Sequence, residues 1–253
     1  MPYAANLPLA LSVTNRLLSS YTGYAFNALR SSDSTTMDVA FSADGTVNTT
    51  AFLAWVGSAS AYVTKIYNQG AGGTALDALQ STAADQPSIV TAGSLETGMS
   101  FNGISAYLEI PSASLSNYSN GTQIQVVSNA EVLGNGGFNG RLFDAGNIGF
   151  WNVYGGTLYS DVPVANRLSG APPANWALGG YHIVSNEQTG SVVNLRIDGS
   201  VWLTGAGGAA ISGTSNLRLG GLASGGGFWR GTLKTFCIWK DCTNAVARAA
   251  AIP

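Results

Sequence analysis

Charge is what this sequence most lacks. Asp, Glu, Lys and Arg make up 9% of its 253 residues, against about 25% in an ordinary soluble domain. Thirteen acidic and eleven basic residues leave a net charge of −2. No Lys/Arg cluster exists to displace counterions from a nucleic acid or to hold an anionic membrane surface, so neither partner is expected. Histidine occurs once, as His182, and cysteine twice, as Cys237 and Cys242. Two thiols and one imidazole cannot complete a structural zinc site, and one close pair cannot staple a fold of this length. A small disulfide loop and two reduced thiols both fit, and the usage suits a reducing cytoplasm. No run of about 18 apolar residues encodes a transmembrane helix. The apolar patch from Leu7 to Val13 lacks the cationic start of a secretory leader, because Arg16 follows it.

Small neutral residues fill the gap. Glycine occurs 33 times, about twice its usual ~7% share. Ten Tyr, nine Phe and six Trp supply enough core to exclude disorder. The length suits one large β domain.

Helical character is confined to the first quarter. There, Thr49 or Thr50 is expected to cap a short helix that buries Phe52, Leu53 and Val56 and ends at Gly57. From Tyr62 the apolar period becomes two. In AYVTKIYNQ this sets Tyr62, Thr64 and Ile66 on one face and Val63, Lys65 and Tyr67 on the other. Asn102-Gly103 signals a hairpin. VVNLRIDGSVWLTG predicts another, turning at Asp198-Gly199. Short strands broken by turns predict a two-sheet sandwich.

The last hundred residues resemble a concanavalin A-like sandwich of the laminin G and legume lectin kind. Tyr181-His182-Ile183-Val184, Leu195-Arg196-Ile197-Asp198-Gly199, Leu217-Arg218-Leu219-Gly220-Gly221 and Leu233-Lys234-Thr235-Phe236-Cys237-Ile238-Trp239 carry the likeness. The resemblance implies an all-β, two-sheet antiparallel jelly roll with short N- and C-terminal helices, the latter over Asn244 to Ala251. Residues 1–18 read as an attachment arm and 19–253 as the single sandwich domain.

A second resemblance lies upstream. Tyr67-Asn68-Gln69-Gly70-Ala71-Gly72-Gly73, Asp85-Gln86-Pro87, Phe101-Asn102-Gly103 and Tyr107-Leu108 are similar to text in fungal-type α-L-arabinofuranosidase catalytic domains. The same text resembles virion and tail-fibre proteins of tailed bacteriophages. In the arabinofuranosidases two adjacent cysteines precede Phe-Asp-Tyr-Gly-Asn, and a glutamate nucleophile follows. Here Arg141 and Leu142 precede Phe143-Asp144-Ala145-Gly146-Asn147, and no glutamate follows before Glu187.

A retaining glycosidase needs two carboxyl groups about 5 Å apart. Glu96 and Glu187 fall in polar loop text, and Glu109 and Glu131 fall in strands. With the nucleophile position empty, no catalytic residue is expected. His182 reads as a packed or solvent-facing strand residue rather than a base. Asp144, Asn147 and Asp161 are too few to favour calcium over turn formation, so no metal and no cofactor is expected. Exposed Trp and Tyr rings stack on sugar C–H faces. Asp144, Asn147, Trp151, Tyr154 and Trp229 are therefore the candidate glycan contacts, and core or interface packing is the competing role of the aromatics.

The expectation is a non-enzymatic bacteriophage structural protein, a capsid decoration or tail fibre. It would be made in the host cytoplasm, located in the virion and homo-oligomeric. Its partners would be other virion proteins and a host-surface glycan. A lectin-like carbohydrate-binding module is the first alternative, and an α-L-arabinofuranosidase-type glycoside hydrolase the second.

Overall fold

The computed structural model describes residues 7–111, 123–133, 140–146, 149–154, 157–161, 167–206 and 215–240. Strands β1 (Leu9–Ser12), β2 (Phe26–Arg30) and β3 (Thr36–Val39) precede helix α1 (Thr49–Val56). Then follow β4 (Ala61–Ile66), β5 (Ala78–Leu79), β6 (Ser88–Thr91), β7 (Ser94–Asn102), β8 (Leu108–Ile110), β9 (Gln123–Val132) and β10 (Arg141–Asp144). The rest are β11 (Gly149–Tyr154), β12 (Thr157–Asp161), β13 (Leu168–Gly170), β14 (Tyr181–Thr189), β15 (Val192–Ile197), β16 (Ser200–Ala206), β17 (Leu217–Leu219) and β18 (Arg230–Trp239).

All pairings are antiparallel. One layer runs β3-β2-β4-β5-β8-β17-β10-β11-β12-β13. The other centres on β18, which pairs β9 along one edge and both β1 and β7 along the other, and continues through β14, β15 and β16. Strand β6 pairs with β4 and β7 and so joins the layers. Alternate residues of each strand fill the space between. Phe143 of β10 meets Phe236 of β18 edge-on, with centroids 5.3 Å apart, and Phe26 of β2 meets Phe52 of α1 at 5.4 Å. Each is essentially fully buried, which stabilises by about 1.5–3 kcal/mol per side chain. This is the expected β sandwich.

Local details depart from the sequence reading for identifiable reasons. The cap of α1 is Asn48, one residue before the expected threonines, and its Oδ1 accepts from Ala51 N–H at 3.1 Å. Phe52 and Val56 are buried and Gly57 ends the helix at φ +63°, as expected. In β4 a bulge places Thr64 and Lys65 together opposite Asn27, so Val63 and Ile66 both face the core. Strict alternation fails there because of one extra residue. Asn102-Gly103 does turn the chain, and Asn102 Oδ1 accepts from the amides of Ile104, Ser105 and Ala106. It makes no hairpin, since β7 pairs with β6 and β18 whereas β8 pairs with β17 and β5. The β15–β16 hairpin forms as expected, with Asp198 at φ +51° and Gly199 at +80°.

The reading of residues 1–18 as an arm needs correction over 7–18, and residues 1–6 lie outside the described residues. β1 is a full member of the β18 layer, and Leu7, Leu9, Leu11 and Leu17 are buried. Asn68 and Gln69 hold this segment. Asn68 Oδ1 accepts from Ala10 N–H at 2.8 Å, and Gln69 Oε1 accepts from Leu17 N–H at 2.6 Å. The apolar side chains find partners within their own sandwich. The expected helix over 244–251 lies outside the described residues.

Candidate active site

Directly opposed residues in neighbouring strands point to the same face. Across five strands of the first layer the register aligns Glu109, Arg218, Asp144, Gly149 and Asp161 in one row. Their neighbours Leu108, Ile110, Leu217, Leu219 and Phe143 are core residues, so Glu109, Arg218 and Asp144 lie on the outer face. Asp144 is only 2% exposed. One carboxylate oxygen is paired with Arg141 Nη1. The other accepts from Ala223 N–H at 2.8 Å and Gly146 N–H at 3.2 Å. Three donors thus converge on one carboxylate. Beside it opens a cleft of about 570 Å³ lined by Arg141, Asp144, Gly146, Ser215, Asn216, Leu222, Ala223 and Ser224.

The cleft is kept open by glycine. A Cβ on Gly149 would lie 2.9 Å from both Arg141 Nη1 and Asp144 Oδ1. Gly146 has φ +80°, and a Cβ there would sit 2.6 Å from Ser215 Oγ. On the far side Asn216 Nδ2 donates to Glu109 Oε2 at 3.1 Å, and Arg218 Nε donates to Glu109 Oε1 at 2.9 Å. The Arg218 guanidinium also lies 4.0 Å from the centroid of the Tyr107 ring.

Of the expected contacts, Asp144 lies in the cleft. Trp151 stands opposite Arg141 and Tyr159, two register positions along from Asp144 and Gly149. Tyr154 pairs with Thr157 at the end of the β11–β12 hairpin. The side chains of Trp151 and Tyr154, and all of Asn147, lie outside the described residues. Trp229 is a correction: it is fully buried, packed against Phe101 at 5.4 Å. Its ring fills the core and offers no face to a sugar.

The remaining titratable candidates are tied up elsewhere. Glu187 is 4% exposed in the second layer, where Arg196 Nε donates to it at 3.0 Å. Glu131 accepts from Thr232 Oγ1, and Glu96 from Thr91 Oγ1. His182 is packed, its ring stacked on Trp176 at 4.3 Å and its Nδ1 2.9 Å from Asp198 Oδ2. Arg141, Glu109, Asn216 and Arg218 escaped the sequence reading. Glu109 and Arg218 carry the signal of an outward-facing charge flanked by core residues, as in Leu217-Arg218-Leu219. Partners over a hundred residues apart cannot be matched from that pattern. Arg141, by contrast, stands three residues before its partner Asp144 and was passed over.

The fold is an antiparallel β sandwich with a polar cleft on the outer face of one layer. The family model of the catalytic domain of α-L-arabinofuranosidase B matches residues 4–142, more than half of the chain. The chain therefore belongs to the α-L-arabinofuranosidase B catalytic-domain family. Among solved structures it is similar to a GH54 α-L-arabinofuranosidase soaked with a cyclic sulfate inhibitor, with TM-score 0.69 and 13% identity. A Glu-to-Gln mutant of a GH54 α-L-arabinofuranosidase soaked with 4-nitrophenyl α-L-arabinofuranoside gives TM-score 0.69 and 12% identity. An arabinofuranosidase complexed with arabinofuranosyl-α-1,2-xylobiose gives 0.67 and 13%. Each match covers 97% of this chain, and this chain spans 62% of the length of each. No curated protein matches the sequence.

These findings correct the functional expectation. The sequence reading placed a non-enzymatic bacteriophage component first and a glycoside hydrolase last. The family match reverses that order, and neither it nor the solved structures support a virion or tail-fibre protein. The expectation set the missing glutamate, the low charge and a likeness to phage proteins above the hydrolase likeness, whereas the family match spans the chain from β1 through β9.

Proposed function

We propose that this chain is an α-L-arabinofuranosidase-type glycoside hydrolase working in the Asp144 cleft. The supporting observation is that the family match runs through Leu142, two residues from Asp144, which lines an open cleft as an ion-paired carboxylate. Hydrolysis breaks the bond from the sugar C1 to the leaving oxygen and adds water across it. Positive charge builds on the ring, and the leaving oxygen takes a proton. Asp144, held by Arg141 and two amides, is placed to oppose the positive charge.

The second carboxylate we assign is Asp161, which the register sets two strands away with only Gly149 between. At about 4.8 Å per strand the two backbones are roughly 10 Å apart. No glutamate lies between Glu131 and Glu187, so in this chain two aspartates take the roles. The test is release of 4-nitrophenol from 4-nitrophenyl α-L-arabinofuranoside. Wild type turns it over, and Asp144→Asn and Asp161→Asn each lose at least about a hundredfold. Absence of wild-type turnover, or turnover unchanged in both variants, overturns the reading.

A further inference from the structure

A second cavity, of about 300 Å³, lies among α1, β2, β6 and β7 and shares no lining residue with the Asp144 cleft. Its floor belongs to the hydrophobic core. Val13, Phe26, Val47, Phe52 and Ile89 line it, each at most 6% exposed. Its mouth is more open and largely polar, formed by Thr14, Asn15, Thr46, Thr49 and Glu96 together with Leu95, which is 40% exposed. The backbone fixes this rim: Val47 N–H donates to the Thr14 carbonyl oxygen at 2.9 Å, and Asn15 bridges to Thr46.

Size and charge define the guest. At about 30 Å³ per water-sized group the cavity takes about ten non-hydrogen atoms, a single ring with a short arm. Apolar pockets with a few placed polar groups are the usual form of a small-molecule site. Among the described residues Glu96 is the one charged side chain in the lining. Its Oε1 accepts from Thr91 Oγ1 at 2.7 Å, and no described donor reaches Oε2. The cations of the adjoining segments are engaged with other groups. Lys234 Nζ lies 3.8 Å over the Tyr181 ring, and Arg16 packs along Gly45, where its charge acts on Asp44. An ionised carboxylate accepts hydrogen bonds and donates none. A guest that matches the rim therefore brings N–H groups and positive charge, and one that matches the floor brings an apolar body.

We infer that this cavity is a binding site for a small arylalkyl ammonium ion. The aromatic ring sits on the floor against Phe26 and Phe52, where aromatic contacts add to area burial, and the ammonium group meets Glu96 at the mouth. The site stands apart from the hydrolase reading, since it uses no group of the Asp144 cleft.

Methyl-resolved NMR titration with 2-phenylethylamine tests it. The methyl signals of Val13, Val47, Ile89 and Leu95 should shift with a Kd on the order of 1 mM, the range for so small a ligand. Those of Leu222, in the Asp144 cleft, should stay in place. 2-Phenylethanol, which has the same shape without the charge, should bind about tenfold more weakly, and phenylacetate should not bind. Glu96→Gln should bring the amine to the affinity of the alcohol. It should leave the alcohol's own affinity unchanged, which shows that the variant folds and keeps the cavity. Thr49→Phe, which puts a ring into the cavity from the start of α1, should remove binding of both. Absence of shifts in the lining methyls, or shifts confined to Leu222, would overturn the site. Phenylacetate binding as well as the amine, or amine affinity unchanged in Glu96→Gln, would overturn its assignment to a cation.

Discussion

Gly149 faces Asp144 across the β10–β11 ladder, and the space its missing side chain leaves is taken by the Asp144 carboxylate and the Arg141 guanidinium. A methyl group at 149 would displace that ion pair, because it would also sit 3.1 Å from the Phe143 carbonyl oxygen and cannot move the other way. Gly149→Ala should therefore lower arabinofuranoside turnover by about a hundredfold, the scale of a 1 Å misplacement at a site. Stability should fall by only about 1–3 kcal/mol. Parallel kinetics and urea denaturation check both numbers.

Asp77 is buried beside the Asn68 loop, where its Oδ1 accepts from Asn68 N–H at 2.8 Å. Burial raises its pKa above the ordinary 3.8, outweighing the Asn68 hydrogen bond and Lys65. The folded state thus binds this proton more tightly than the unfolded chain. The stability it contributes is complete below pH 3.8 and is lost as pH rises through the folded value. Asp77→Asn keeps an acceptor for Asn68 and removes the charge. It should raise the melting temperature at pH 7 by a few degrees and flatten the dependence above pH 4, as calorimetry at several pH values would show.

Cys237 lies in β18 with its thiol free and fully buried, packed against Leu7, Leu17, Val127 and Trp239. Burial pushes the thiol well above its ordinary range, so no thiolate is available as a nucleophile. In a Cys242→Ser background the native protein should not react with Ellman's reagent. One thiol should appear only on unfolding in guanidinium chloride. Rapid labelling of the native protein would contradict this packing.

Local structure was written plainly in the sequence, and long-range assembly was not. Val193, Leu195 and Ile197 alternate with polar neighbours and are buried as that alternation demands, and Asp198-Gly199 turns because both tolerate positive φ. The Asn102-Gly103 signal was equally strong, yet the flanking strands found partners far along the chain. Trp229 looked like a sugar contact because an aromatic beside a glycine run fits a surface loop as well as a core. Asp144 was legible from its motif. The row beside it was not, since Glu109, Arg218 and Asp144 become neighbours only when β8, β17 and β10 align. The missing glutamate was read correctly as a residue and given too much weight against the scaffold around it.

The pairing of β1 with β18 sets the order of events in biosynthesis. Ser12 and Thr235, whose hydroxyls lie 3.3 Å apart, are separated by 223 positions. At about 5–20 residues per second, a ribosome takes roughly 10–45 s to make the second after the first. Throughout that interval the leucines of β1 have no strand to lie against, so the nascent chain carries an open, sticky edge that holding chaperones are suited to shield. The seam closes only after β18 has been made.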